Sequence, residues 1–411
     1  MNSMRVMPRF IAAIVLSIGA HSYVVAQVIT GPNVNVSDMP GYQGEVGIAV
    51  NPTNLMNIVV VTNELIDLTK LGVWHSLDGG ATWTANFVDE NADGFSGNDI
   101  RFDPNVAFDS DGNVYIVYST SGSGSRVALV RSSDGGQSYD QVATVTTDAG
   151  SSNLHTAMVT TRSADGPDSV LVVYARVQGI ESIEASLSVD AGATFPTHNN
   201  FINDVLQRTF LPWAVADAAG DFHVVWEVEL NNSGTGIIQH DLLDGVTLAD
   251  SANNTTVTTI QITDFANSTS EIPPQPDRGI FSVATVDVDR ATGRVYLSYT
   301  DRPHVQSDDT DIYVRFSDNS GADWSDRIQI NDDDTITSQF MPRMVVDQTT
   351  GVIAAIWYDA RDDVVNNGLV DIFTSVSHDG AISWSRNQRV TTAQSDESVN
   401  NPLRDFRNYL E

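Results

Sequence analysis

The phrase SLDGGATW, residues 76–83, returns four more times along the chain. SSDGGQSY fills 132–139 and SVDAGATF fills 188–195; SDNSGADW (317–324) carries Asn319 at the aspartate position, and SHDGAISW (377–384) carries Ala381 at the second glycine. The starts lie 56, 56, 129 and 60 residues apart, so the long gap spans two periods and places a unit without its octet near HDLLDGVTLAD, 240–250. A period of this size calls for a repeat architecture before any other.

Each unit shares one internal layout. The second runs NVAFD, a turn at SDGN, VYIVYS, a loop, RVALVRS, the octet and YDQVATV. Four short β-branched and aromatic runs split by Asp/Gly turns read as antiparallel strands. No segment after the N-terminus has convincing helical periodicity. Six such units fit between residues 41 and 391, which predicts an all-β chain folded as a six-bladed β-propeller of four-stranded antiparallel blades.

The octet then forms the hairpin between the third and fourth strands. Gly80, Gly136, Gly192 and Gly321 allow positive φ, the carboxylates of Asp78, Asp134, Asp190 and Asp379 accept turn amides, and Ser76, Ser132, Ser188, Ser317 and Ser377 close the turn. Trp83, Tyr139, Phe195, Trp324 and Trp384 pack between blades. Octets spread one per blade around a ring cannot share a substrate, so the octet is a fold element.

S-x-D-x-G-x-x-W is the Asp-box, or BNR repeat, and five copies at this spacing resemble the sialidase-like propellers of secreted bacterial type. The likeness covers nearly the whole chain after its first residues. It implies the fold directly, and implies activity only through particular residues, because one architecture hosts many functions.

In such a ring the octets share a face with the first-to-second turns, and a pocket belongs to the opposite face, where the first strands line the channel. The segments leading into first strands supply Glu45, Arg101, Asp103, His155, Trp213 and Arg343 to that face. The ends of second strands supply Arg176, Trp226, Glu227, Glu229, Asp301, Arg302, Tyr358, Asp359 and Arg361. Convergent guanidiniums suit a carboxylate or sulfate through forked hydrogen bonds.

The resemblance to sialidases, which hold the sugar carboxylate with an arginine triad, implies Arg302, Arg343 and Arg361 for that role, with Arg101, Arg176 and Trp213 as further substrate contacts. It implies Tyr358 as nucleophile, Glu227 or Glu229 as its partner, and Asp103 as the acid. The chain departs from the pattern in its first unit: GEVGIAVNP has no Arg-Ile-Pro-like motif. Pairing of the arginines with adjacent aspartates, as in TDRP and DARDD, is the competing structural reading.

DENADGFSGNDI (89–100) opens as D-x-N-x-D-G, the start of an oxygen-ligand calcium loop, with Asp89, Asn91 and Asp93 as ligands and Gly94 at the turn. A solvated acidic loop is the alternative, and the acidic runs 307–311 and 331–335 are weaker candidates still. No other cofactor is implied.

The formal net charge is −32, with 43 Asp against 10 Glu and Lys70 as the sole lysine, which argues against nucleic acid and anionic membranes as partners. Cysteine is absent, so disulfides and thiolate metal sites are excluded. Residues 1–26 read as a secretory signal peptide: Arg5 and Arg9, an apolar run from Phe10 to Ala20, then VVA. Residues 27–40 form a candidate ring-closing strand, and 392–411 a tail that reads as the start of a further, truncated blade.

Two functions follow from this reading. One is a secreted sialidase-like glycoside hydrolase acting on acidic glycans. The other is a non-catalytic propeller that binds glycan or protein at the bacterial surface.

Overall fold

The computed structural model describes residues 31–39, 43–64, 66–139, 141–146, 152–161, 168–178, 180–200, 207–230, 236–248, 258–262, 271–276, 279–303 and 309–396. Residues 1–30, where the signal peptide is expected, and residues 397–411 lie outside them. Among the described residues no helix is long and apolar enough to cross a membrane.

Six antiparallel sheets follow one another as the blades of a β-propeller. Blade 1 is β1 (Gln43–Val50), β2 (Ile58–Glu64), β3 (Leu71–Ser76) and β4 (Thr84–Val88), followed by a single helical turn, α1 (Glu90–Asp93). Blade 2 is β5 (Ile100–Phe108), β6 (Val114–Ser121), β7 (Arg126–Ser132) and β8 (Gln141–Thr144). Blade 3 is β9 (Ser152–Thr161), β10 (Ser169–Gln178), β11 (Ile180–Ser188) and β12 (Thr197–Asn200). Blade 4 is β13 (Gln207–Ala216), β14 (Phe222–Leu230), β15 (Gly236–Leu243) and β16 (Thr258–Ile262). Blade 5 is β17 (Thr285–Asp289), β18 (Arg294–Asp301), β19 (Asp311–Ser317) and β20 (Ile328–Gln329). Blade 6 is β21 (Gln339–Val346), β22 (Ile353–Asp359), β23 (Leu369–Ser377) and β24 (Gln388–Arg389), with β25 (Ser395–Asp396) added to β23.

The second strands read as unbroken apolar runs because both faces of each sheet are covered. In β6, Val114, Ile116 and Tyr118 pack against blade 1, while Tyr115 and Val117 pack against blade 3. Alternate side chains point to opposite faces, and here each face has a neighbour to bury them.

Part of the aspartate excess is turn chemistry. At the first-to-second turns, Asn51, Asp109, Asp217, Asp289 and Asp347 each accept a backbone amide two residues on, at 2.8–3.1 Å. Near residue 244, where the octet is lost, Leu243 stands at the serine position, yet Asp244 still accepts the Thr247 amide at 2.7 Å.

The first and last blades meet at a side-chain latch. The Asn33 carboxamide donates to Val390 O at 3.1 Å and accepts the Thr392 N–H at 2.9 Å. A few residues on, Val36 packs with Val60 and Trp74 of blade 1.

Candidate functional site

A β-bulge recurs in the first strands, at the end opposite the octets. The ladder skips residues between Gly44 and Gly47, Phe102 and Asn105, Phe210 and Trp213, and Phe340 and Arg343. Just before β17, Val283 adopts the same backbone. A residue other than glycine sits at positive φ each time: Glu45 (54°), Asp103 (51°), Leu211 (45°), Val283 (51°) and Met341 (54°). Such left-handed residues cost roughly 1–2 kcal/mol each. Bulges and strain of this kind gather where a fold re-aims side chains.

A bulge frees amides from the ladder, and the preceding blade satisfies them. Asn63 of β2 accepts the Asp103 N–H at 3.0 Å, and Thr300 of β18 accepts the Met341 N–H at 3.1 Å. Pro104 and Pro342 follow those residues and carry no N–H, so one acceptor is enough. Blade 5 has Ala284 instead of proline and therefore presents a second donor. There β14 supplies Glu227, whose two oxygens accept Ser282 N (3.1 Å) and Ala284 N (3.2 Å).

That geometry reassigns Glu227. It is 4% exposed and both its oxygens serve the backbone, so it does not activate Tyr358. Burial pushes its carboxyl up to about 7 against the opposing pull of the amides. Tyr358 occupies the matching register position of blade 6, opposite Phe340, and stacks on that ring at 5.3 Å. Trp226 is likewise no pocket residue: adjacent to Glu227, it points the other way into the core and donates to Gln239 at 3.0 Å.

The five expected arginines have four different fates. Arg101 is 0% exposed and forks onto Asp93 at 2.6 and 2.8 Å, with the Tyr118 hydroxyl donating to the same carboxylate. Arg176 pairs with Glu184 at 3.0 Å. Arg361 is caged by carboxylates, touching Asp359 and Asp332 at 2.7 Å and Asp333 at 3.3 Å. Arg302 is buried and donates to Glu271 O at 3.2 Å. Arg343 alone lies over an indole, with its guanidinium carbon 3.9 Å from the Trp213 ring centre. The expected triad is thus not assembled as three like donors: Arg361 is held by aspartates, as the competing reading required, and Arg343 stands with Trp213.

Arg343 and Trp213 follow the bulges of blades 6 and 4, two residues beyond Met341 and Leu211, and meet over the intervening blade. Phe340 and Tyr358 pack into the same cluster with Leu211, Val283 and Met341. Two of the positive-φ residues are acidic. Asp103 and Glu45 are buried, and the Asn63 carboxamide that accepts the Asp103 amide also donates to Glu45.

The residues expected to bind calcium have other partners. Asp89 caps α1 by accepting the Asn91 and Ala92 amides. Asn91 donates to Asp89, and Asp93 is the partner of Arg101. Among the described residues no group of three His, Asp or Glu side chains is placed to hold a metal ion.

The octets share one pattern. Each serine hydroxyl donates to the residue two places on, from Ser76 to Asp78 (2.8 Å), through Ser132 to Asp134 and Ser188 to Asp190 (both 2.7 Å), to Ser377 and Asp379 (2.9 Å). Each also accepts an amide four places on, from Gly80, Gly136, Gly192, Gly321 and Ala381. Asn319 takes the aspartate's part at 2.9 Å, and Ala381 adopts φ 69° where glycine is usual.

No protein-family model matches the sequence, and no curated protein matches it. Solved structures do match in fold. An alpha-L-arabinanase of Penicillium chrysogenum, complexed with arabinobiose, aligns with a TM-score of 0.52 at 11% identity, covering 81% of this chain and 92% of its own. An alpha-L-arabinofuranosidase from Fusarium graminearum aligns at 0.51 with 10% identity, covering 82% and 96%. An ulvan lyase of a polysaccharide lyase family aligns at 0.51 with 13% identity, covering 87% of both chains. At such identities the likeness establishes a shared propeller fold and leaves the chemistry to the site.

Proposed function

We propose that this chain is an exported glycan-acting propeller that takes an acidic saccharide at its bulged mouth. The observation that carries the proposal is the Arg343–Trp213 stack. Indoles pack against the apolar faces of sugars and guanidiniums recognise carboxylates and sulfates, and this stack sets one of each together. Similar propellers act on glycans, and the ulvan lyase is bound to a –[GlcA(1-4)Rha3S]– saccharide.

Sialosides belong among the ligands to be tested, with Arg343 rather than a full triad as the anchor. The second reading, hydrolysis, draws support from the buried carboxylates of Glu45 and Asp103 at the bulges of blades 1 and 2.

Calorimetric titration of the mature protein with a glucuronate-containing oligosaccharide, sialyllactose and a neutral arabino-oligosaccharide tests the proposal. An acidic ligand should bind, and Arg343→Ala should weaken it about tenfold, equivalent to about 1.4 kcal/mol. Equal affinity in that variant, or preference for the neutral sugar, would overturn it. Release of reducing ends from the bound saccharide would make the protein an enzyme.

A further inference from the structure

At the octet end, side chains of one blade meet the octet glycine of the next. A Cβ on Gly192 would lie 3.1 Å from both Tyr115 and Leu129, the pair that blade 2 offers to blade 3. Phe222 faces Leu243 in blade 4 as Val114 faces Ser132 in blade 2, so His223 and His240 occupy the positions of Tyr115 and Leu129. The matching glycine, Gly321 of the blade 5 octet, lies against the His240 ring. Blade 4 is also the blade without its own octet serine.

The two imidazoles form a closed unit. His223 Nδ1 and His240 Nε2 are 3.0 Å apart, with the rings stacked at 5.2 Å. His240 meets Trp324 edge-on at 5.5 Å. They are 1% and 2% exposed, so water cannot solvate a charge on either ring. We propose that this histidine pair makes the seam between blades 4 and 5 an acid-triggered joint, closed at neutral pH and loosened when both rings are protonated.

The surroundings offer little compensation. On the turn before β14, Asp217 approaches His223 Nε2 only to 3.9 Å. Asp221 accepts the Gly245 amide, and Asp241, beside His240 on β15, accepts the Leu242 amide. On the facing octet, Asp318 is held by Arg294 and Asp323 by Asn319. Arg290 of blade 5 reaches Ala216 O, adding positive charge on that side. Two adjacent imidazolium ions would therefore repel each other in an apolar seam.

Burial pushes His223 down to about 4 and His240 down to about 3. The separated seam, like the unfolded chain, would protonate them near the ordinary value of 6.5. The closed state then binds fewer protons, so its stability falls as pH drops below about 6.5 and continues to fall toward 4. The mouth would respond too, because Trp213 sits on blade 4 and its stacking partner on blade 6; this consequence rests on the proposed ligand site, whereas the joint does not.

The test needs no ligand. Hydrogen exchange of the mature protein at pH 7 and pH 5, corrected for intrinsic rates, compares octet 317–324 with octet 188–195. The joint predicts that 317–324 loses about tenfold more protection than 188–195 on acidification, from one or more units of linked protonation. Equal losses would overturn it. In the H223Y/H240L variant, which copies the pair in blade 2, the excess loss should vanish while the octet stays protected at pH 7. Persistence of the excess would assign acid sensitivity elsewhere. Should that variant fail to fold, H223Q/H240Q keeps hydrogen-bonding side chains without either charge and carries the same expectation.

Discussion

At the octet end of the propeller one hydrogen-bond pattern is written five times; at the mouth the bulge position changes from blade to blade. Glu45, Asp103, Leu211, Val283 and Met341 share a backbone conformation yet present two carboxylates and three apolar side chains. The octet end repeats because every blade must solve the same packing problem. The mouth varies because only the backbone device, the bulge and its clamp, is structural. A repeat protein can thus hold its fold in what recurs and its chemistry in what differs.

Substitutions can break or sharpen that contrast, and the largest effect should come from a residue on the mouth side that belongs to the fold. Arg101→Ala leaves Asp93 buried without its partner and should cost about 3–5 kcal/mol, read as a fall in the denaturant midpoint. If stability barely changes and saccharide affinity drops instead, Arg101 belongs to the site. Ser132→Ala orphans the Gly136 amide and should lower stability by about 1–3 kcal/mol in thermal unfolding while leaving ligand affinity intact. Arg343→Ala should do the reverse, losing about tenfold in affinity with an unchanged midpoint; coupled losses in both would erase the distinction between the two ends.

The smallest effect tests the most degenerate octet. Four octets place Asp two residues after the serine and Thr or Ser four residues beyond that, whereas the fifth places Asn319 and Asp323. The Asn319 amide donates to Asp323 at 3.0 Å, so donor and acceptor have traded places. Asn319→Asp alone should face two carboxylates and cost about 0.5–1 kcal/mol, and Asp323→Thr in the same chain should restore it. A double variant no better than the single would show that the exchange is incidental.

The same contrast governs what could be read in advance. Octets announced themselves because serine, acid, glycine and aromatic lie within eight residues, and local turn chemistry needs nothing more distant. The clamps were illegible for the opposite reason. Glu227 meets amides 55 and 57 residues away, and Thr300 meets one 41 residues away. Positive φ at Leu211 or Met341 runs against side-chain preference and leaves no local signal. Arg361 was legible as a caged residue, since Asp359 stands two positions before it, but Asp332 and Asp333 joined only through blade packing. For Trp226 and Glu227, strand alternation already forbade both from facing one pocket. The D-x-N-x-D-G phrase stayed ambiguous because a capping aspartate and a calcium ligand look alike in sequence; that Asp89 caps a helical turn and Asp93 meets Arg101 needed the fold.

The Asn33 latch has a consequence for how such a ring stays shut. Its hydrogen bonds join residues 357 and 359 positions apart. For a free polymer the entropy of closing such a loop grows with the logarithm of its length, about 0.6 kcal/mol for each doubling. Here that entropy is already lost to the packing of blade upon blade, which delivers the two ends to each other. Asn33 then has only to join ends that the fold has already brought together.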